Sequence, residues 1–253
     1  MSRKIRALFA LAAALAAGSL VSACVTARQP DLSGKDILAV LQDVKRHNSF
    51  AYLTRASLPA SWFDAARESV RDPFVYIVLS DTKSGASRII GLFTGDRYNH
   101  VSLAFDAALS TLVSYNGGVD GGTPGLNAET TAALTRLSGS SYRVYRLPAS
   151  AVQKERMIRR ITAINGEGSS YNLLGLITRR SALPNIMFCS QFVAAVLAEA
   201  GLDLFDRESA CVRPMDFARG GNRAREPDGA ADGTIFFEQT IDSRSNISYV
   251  IIR

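Results

Sequence analysis

Apolar and polar positions recur with two periods along this chain. Ile37, Val40, Leu41 and Val44 share one helical face, opened by Ser33 with Asp36 three residues on, a capping-box spacing. A second helix is predicted over Ser61 to Val70, ending before Asp72-Pro73 because the residue ahead of a proline disfavours the helical region. From Phe74 the period shortens to two. Phe74 to Leu79, Arg88 to Phe93, Tyr98 to Phe105 and Thr111 to Tyr115 read as short strands joined by turns. Asn116 to Gly125 is a glycine-rich loop, expected to be a mobile rim, and Ala128 to Leu137 reads as a helix. Tyr142 to Leu147 reads as a strand. Ser150 to Ile164 reads as a helix with Val152, Met157, Ile161 and Ile164 apolar. A helix over Asn185 to Ala200 is stopped by Gly201. The polar loop Gly220 to Gly233 precedes two strands, Thr234 to Gln239 and Ile247 to Ile252. The expected class is α+β, with one domain over residues 33–253.

The first residues follow neither pattern. Arg3, Lys4 and Arg6 precede an apolar stretch from Ala7 to Leu20, shorter than the roughly 20 residues a bilayer helix needs. Small residues then lead to Cys24. Residues 1–23 are therefore expected to be an export signal and residues 24–32 a tether. This address changes the meaning of the charge. The full chain carries 29 Lys+Arg against 23 Asp+Glu, a net +6, which hints at an anionic partner. Without the signal the balance falls to 26 against 23. No basic helix face or phosphate loop appears, and the pairs Arg159-Arg160 and Arg179-Arg180 stand alone, so a nucleic-acid role has little support.

Composition narrows the chemistry further. Two histidines, His47 and His100, are too few for a histidine-rich metal cluster, and three cysteines are too few for a disulfide scaffold. No metal or cofactor is implied. On the strand Tyr98 to Phe105, alternation sets His100, Ser102 and Ala104 against Val101, Leu103 and Phe105. His100 is thus expected to project from a face of small residues, where a cleft can form. Cys189 falls in the opening turns of the helix expected to begin at the N-cap Asn185. Free amides and the positive end of the helix dipole there favour a thiolate. A thiolate nucleophile needs a base, and that base a polar group to orient it. With His47 on an outer helix, His100 is the candidate base. Asp106 shares its face but lies roughly 20 Å along a straight strand. Ser114 or Asn116 on the neighbouring strand would serve as the third member. A disulfide between Cys189 and Cys211 is the competing reading, since it would abolish the nucleophile.

Two stretches carry a resemblance: Asn99-His100-Val101-Ser102-Leu103 and Phe188-Cys189-Ser190-Gln191-Phe192-Val193. Together they resemble the circularly permuted papain-like hydrolases, the YiiX/YaeF-like and lecithin:retinol-acyltransferase-like branch of the NlpC superfamily. There a strand histidine precedes a helix cysteine in the chain. Tyr171 to Leu176 resembles the Tyr-x-x-x-Gly segment before that helix, and Val212 to Phe217 the Pro-x-Asp element after it. The resemblance spans roughly Phe74 to Ala218. It implies a permuted papain-like fold, an antiparallel sheet packed against a cysteine-bearing helix, with Cys189 as nucleophile and His100 as base. Ser114 stands where many relatives carry an acid or a second histidine, and takes the third role. Val21-Ser22-Ala23-Cys24 resembles a bacterial lipobox, implying acylation at Cys24 and an anchor in the cell envelope, on the periplasmic face of the outer membrane. The function expected is hydrolysis or acyl transfer on an amide or ester, either a lipid-like acyl compound or a peptidoglycan peptide. The alternative is a papain-like binding module without turnover.

Overall fold

A computed structural model describes residues 51–82, 98–118, 122–173, 175, 181, 183–219, 236–242 and 249–250. Over 236–242 and 249–250 it describes the backbone alone. The expected signal, tether, Cys24, His47, Ser33 helix, Arg88 to Phe93 strand, Arg179-Arg180 pair and Gly220 to Gly233 loop lie outside these residues.

Seven strands form one sheet: β1 (Phe74–Asp81), β2 (His100–Ala104), β3 (Val113–Asn116), β4 (Gly125–Ala128), β5 (Ser141–Pro148), β6 (Phe236–Asp242) and β7 (Tyr249–Val250). Their order across the sheet is β4-β3-β2-β1-β5-β6-β7, with every neighbouring pair antiparallel. Between β1 and β2, Ser80 pairs with His100 and Leu79 with Val101. The central strand β1 is apolar on both sides, as befits a strand covered on both faces.

Alternation sorts the side chains into two cores. Val75, Ile77, Leu79, Val101, Leu103 and Tyr115 belong to the large one. Tyr76, Val78, Ala104, Leu112, Leu134, Tyr142 and Val144 form a smaller one. Four helices close the large core and a fifth packs on the smaller one. The first, α1 (Ala60–Glu68), buries Trp62, whose indole N–H donates to Thr111 O at 3.0 Å. The short α2 (Thr131–Leu134) sends Leu134 to the smaller core. The long α3 (Ala151–Glu167) starts on the Ser150/Gln153 capping box and contributes Met157, Ile161 and Ile164 to the large core. The helix α4 (Cys189–Glu199) contributes Phe192, Val193 and Val196. The last helix, α5 (Pro214–Ala218), has Asp216 capping the N–H of Arg213 at 2.9 Å. Among the described residues no helix is long and apolar enough to cross a membrane.

Two expected helices are shorter than the apolar pattern suggested. Asn185 lies in the left-handed region with φ 58°, and Ile186–Met187 pair in parallel with Ser170–Tyr171, so the chain stays extended up to Phe188. Helix α4 therefore starts at Cys189, and Asn185 is not its N-cap. Likewise Gly125–Ala128 pair with β3, which delays α2 to Thr131 behind the cap Thr130.

Lys154 on α3 is fully buried. Its ammonium donates to Ser69 O at 2.9 Å and Phe105 O at 3.0 Å, binding α3 to the turn after α1 and to the end of β2. Burial pushes its pKa down to about 8 against the opposing pull of Asp72 and Asp106. Lys154→Met is expected to lower the unfolding free energy by about 1–3 kcal/mol, because two buried carbonyls lose their donor. An unchanged urea midpoint would contradict that role.

Candidate active site

Cys189 is the first residue of α4. Phe188 before it has extended backbone and supplies no side-chain cap, and the first intrahelical bond is Phe192 N–H to Phe188 O at 3.0 Å. The amides of Cys189, Ser190 and Gln191 therefore have no intrahelical acceptor. The turn is held from outside by neighbouring side chains. Ser190 Oγ donates to Val212 O at 2.7 Å, and the ring of Phe192 packs against Tyr115 at 5.0 Å between centroids. The Cys189 thiol is free and the residue fully buried.

His100 is the first residue of β2. Alternation groups it with Ser102 and Ala104, and the expected cleft beside these small residues is instead filled. The carboxylate of Glu129 occupies it. His100 Nε2 lies 3.0 Å from Glu129 Oε1 and 3.2 Å from Oε2, and Ser102 Oγ lies 3.3 Å from the same nitrogen. Cys189 lies near enough to the imidazole to help raise its pKa. With Nε2 turned to Glu129, Nδ1 is the ring nitrogen that the carboxylate does not engage. His100 is thus bracketed by a carboxylate and a thiol.

Glu129 follows β4 directly, and its N–H donates to Leu112 O at 3.0 Å. Its carboxylate accepts from Ser102 Oγ, and from Asn116 Nδ2 at 2.8 Å. Asn116 Oδ1 in turn accepts from Gly118 N at 2.9 Å and Asn127 Nδ2 at 3.0 Å. Gly118 has φ 79°, and a side chain there would meet the Gly122 carbonyl, so this turn requires glycine. Both titratable partners are displaced from their ordinary values. Burial alone would depress the imidazole, but the Glu129 charge, the nearby Cys189 and hydrogen bonds to Glu129 hold His100 well above its usual range. Burial alone would raise Glu129, yet the His100 charge and bonds from His100, Ser102 and Asn116 hold it below the usual carboxylate range. The arrangement is an imidazolium–carboxylate pair beside a thiol at a helix start.

His100 and Cys189 come together. Ser114 does not join them: its hydroxyl donates to Val101 O at 2.9 Å, a backbone bond between strands, so it does not orient the ring. Asn116 acts one step removed, on Glu129. Asp106 caps its own turn, accepting from Ser110 N at 3.0 Å and Thr111 N at 2.9 Å. Cys211 is disulfide-bonded while Cys189 is free, so the two are not paired with each other. Glu129 was hidden because Ala128 to Leu137 reads as one helix. The alternation Gly125-Leu126-Asn127-Ala128, read as a strand ending at an acid, was the available signal. No protein-family model, curated protein or solved structure matches the chain.

The pair makes stability depend on pH from both sides. His100 has its pKa raised on folding, so its contribution is complete below the ordinary value of 6.5 and is lost as pH rises through the folded value. Glu129 has its pKa lowered, so its contribution is complete above 4.5 and is lost as pH falls through the folded value. The stability gap between wild type and Glu129→Gln should therefore be widest between these two values and shrink on either side. Urea unfolding across pH 3–9 checks this. In the same variant, the NMR titration of the His100 ring should move to lower pH, and an unmoved titration would count against the pairing.

Proposed function

We propose that this chain is a thiol hydrolase or acyltransferase of the cell envelope, acting on an amide or ester through a thioester at Cys189. The single observation that carries this reading is the buried His100–Glu129 pair set against a cysteine at the first position of a helix. The chain order, a strand histidine before a helix cysteine, and the antiparallel sheet packed against α4 support a permuted papain-like fold. Glu129 takes the orienting role first given to Ser114.

Each group then has one task. From the neutral form of His100, with Nε2–H facing Glu129, Cys189 gives its proton to Nδ1, and the thiolate attacks the substrate carbonyl carbon, forming the C–S bond and moving the carbonyl π pair onto oxygen. The unbonded first-turn amides of α4 supply donors of the kind that stabilise such an oxyanion. On collapse the C–N or C–O bond breaks, and the leaving amine or alcohol takes the proton from His100. Water, or an acceptor hydroxyl, next gives its proton to His100 as it attacks the thioester carbon. The sulfur leaves, and proton return restores the resting pair. Glu129 holds the ring in place and balances its charge throughout. The substrate is an acyl amide or ester, a lipid-like acyl compound or a peptidoglycan peptide, met by a protein anchored through lipid at Cys24 on the periplasmic face of the outer membrane. Full burial of Cys189 favours one second reading, a papain-like binding module without turnover.

Acyl-ester and peptidoglycan-peptide activity probes decide between them. Wild type should be labelled and Cys189→Ala should not. Turnover should fall by about 100-fold or more in His100→Ala and Glu129→Gln, while Ser114→Ala stays near wild type. No labelling by either probe, together with an iodoacetamide rate at pH 6 unmoved by His100→Ala, would leave the binding module. Mass spectrometry of the mature protein tests the anchor. With Cys189 free, a disulfide of Cys211 within the chain and a thioether at Cys24 compete for the same remaining cysteine sulfur, so masses with and without reductant decide between them.

A further inference from the structure

Four residues ahead of Cys189, one side chain is held by more partners than a turn requires. Asn185 is buried and adopts φ 58°, a conformation that asparagine tolerates better than most residues and glycine better still. The backbone alone therefore does not call for asparagine. Its carboxamide is clamped on both ends. Arg160 Nη2 donates to Oδ1 at 2.8 Å, and Nδ2 donates to Glu167 Oε2 at 2.6 Å. Its carbonyl accepts from Tyr115 Oη at 3.0 Å and from Ser170 N at 3.3 Å. Arg160 also pairs through Nε with Glu199 Oε2 at 3.1 Å, so one guanidinium grips both the approach to α4 and its last residue.

These contacts run to both halves of the site. In one direction Asn185 leads through the short strand Ile186–Met187 to Phe188 and Cys189. In the other its carbonyl receives the Tyr115 hydroxyl, which burial keeps protonated by raising its pKa above the ordinary value. Tyr115 packs on Phe192 in the first turn of α4 and immediately precedes Asn116, the donor that steadies Glu129. We infer that Asn185 is a positioning residue, fixing the sulfur of Cys189 against the imidazole of His100 through the clamped turn that enters α4. The inference rests on Cys189 being the reactive nucleophile.

Iodoacetamide alkylation of Cys189 in the purified mature protein, followed from pH 5 to pH 9, tests the assignment without needing the substrate. Asn185→Gly keeps the left-handed turn and removes both side-chain bonds. Its alkylation rate at pH 6 should fall tenfold or more, with the pH profile displaced. Asn185→Asp keeps the acceptor for Arg160 but sets a carboxylate against Glu167, and should fall between the two. A merely structural role would lower the melting temperature and leave the rate and profile of the folded protein as in wild type. That result in Asn185→Gly would overturn the inference. Should Asn185→Gly not fold, Tyr115→Phe removes only the hydroxyl that binds the Asn185 carbonyl. A threefold or larger fall there supports the inference, and a wild-type profile overturns it. Failure of the catalytic reading appears elsewhere, as a wild-type rate indifferent to His100→Ala, so the two failures are separable.

Discussion

A charged imidazole and a carboxylate sit together in the interior of this protein, and burying such a pair is costly unless every remaining polar atom finds a partner. Much of the surrounding structure answers that demand. Ser102 is small enough to leave room for the Glu129 carboxylate and polar enough to donate to it. Asn116 supplies a second donor, and is itself fixed by Asn127 and the turn at Gly118. The pairing of β3 with β4 exists in the right register to deliver Glu129 beside the first residue of β2. Removing either charge strands the other in a low-dielectric site, so the network is cooperative in the strict sense that its members depend on one another.

The helix beginning at Cys189 places a different requirement on the chain. Its first amides stay available because no side chain caps them, and such an end is unfavourable unless packing holds it. Ser190, Phe192 and the segment from Asn185 to Phe188 provide that hold from three directions. Open amides at the cysteine and rigidity of its surroundings are therefore two aspects of one arrangement.

Much of the fold was legible in the apolar pattern. Strands β1, β2, β3 and β5 and helices α1 and α3 lie where periodicity puts them, because their burial is regular. Helix starts were less legible. The stretch before Cys189 is as apolar as the helix it enters, and only the left-handed turn at Asn185 and the pairing with Ser170–Tyr171 decide for extension. Within the site, His100 and Cys189 stood out by residue type and position. Glu129 did not, since its role comes from strand pairing across 29 residues of sequence, which no local pattern records. Ser114 illustrates the opposite error. It lies on the neighbouring strand, as expected, but its hydroxyl is consumed by a backbone carbonyl.

The complete burial of Cys189 bears on how long such a sulfur survives. Oxidants and exchanging thiols act on sulfur they can reach, and in an oxidising compartment an exposed reactive thiol climbs toward sulfenic acid or mixed disulfides. Here Cys211 is already disulfide-bonded while Cys189 remains a free thiol. The same packing that sets the sulfur near His100 also shields it, so protection from oxidants is built into the core.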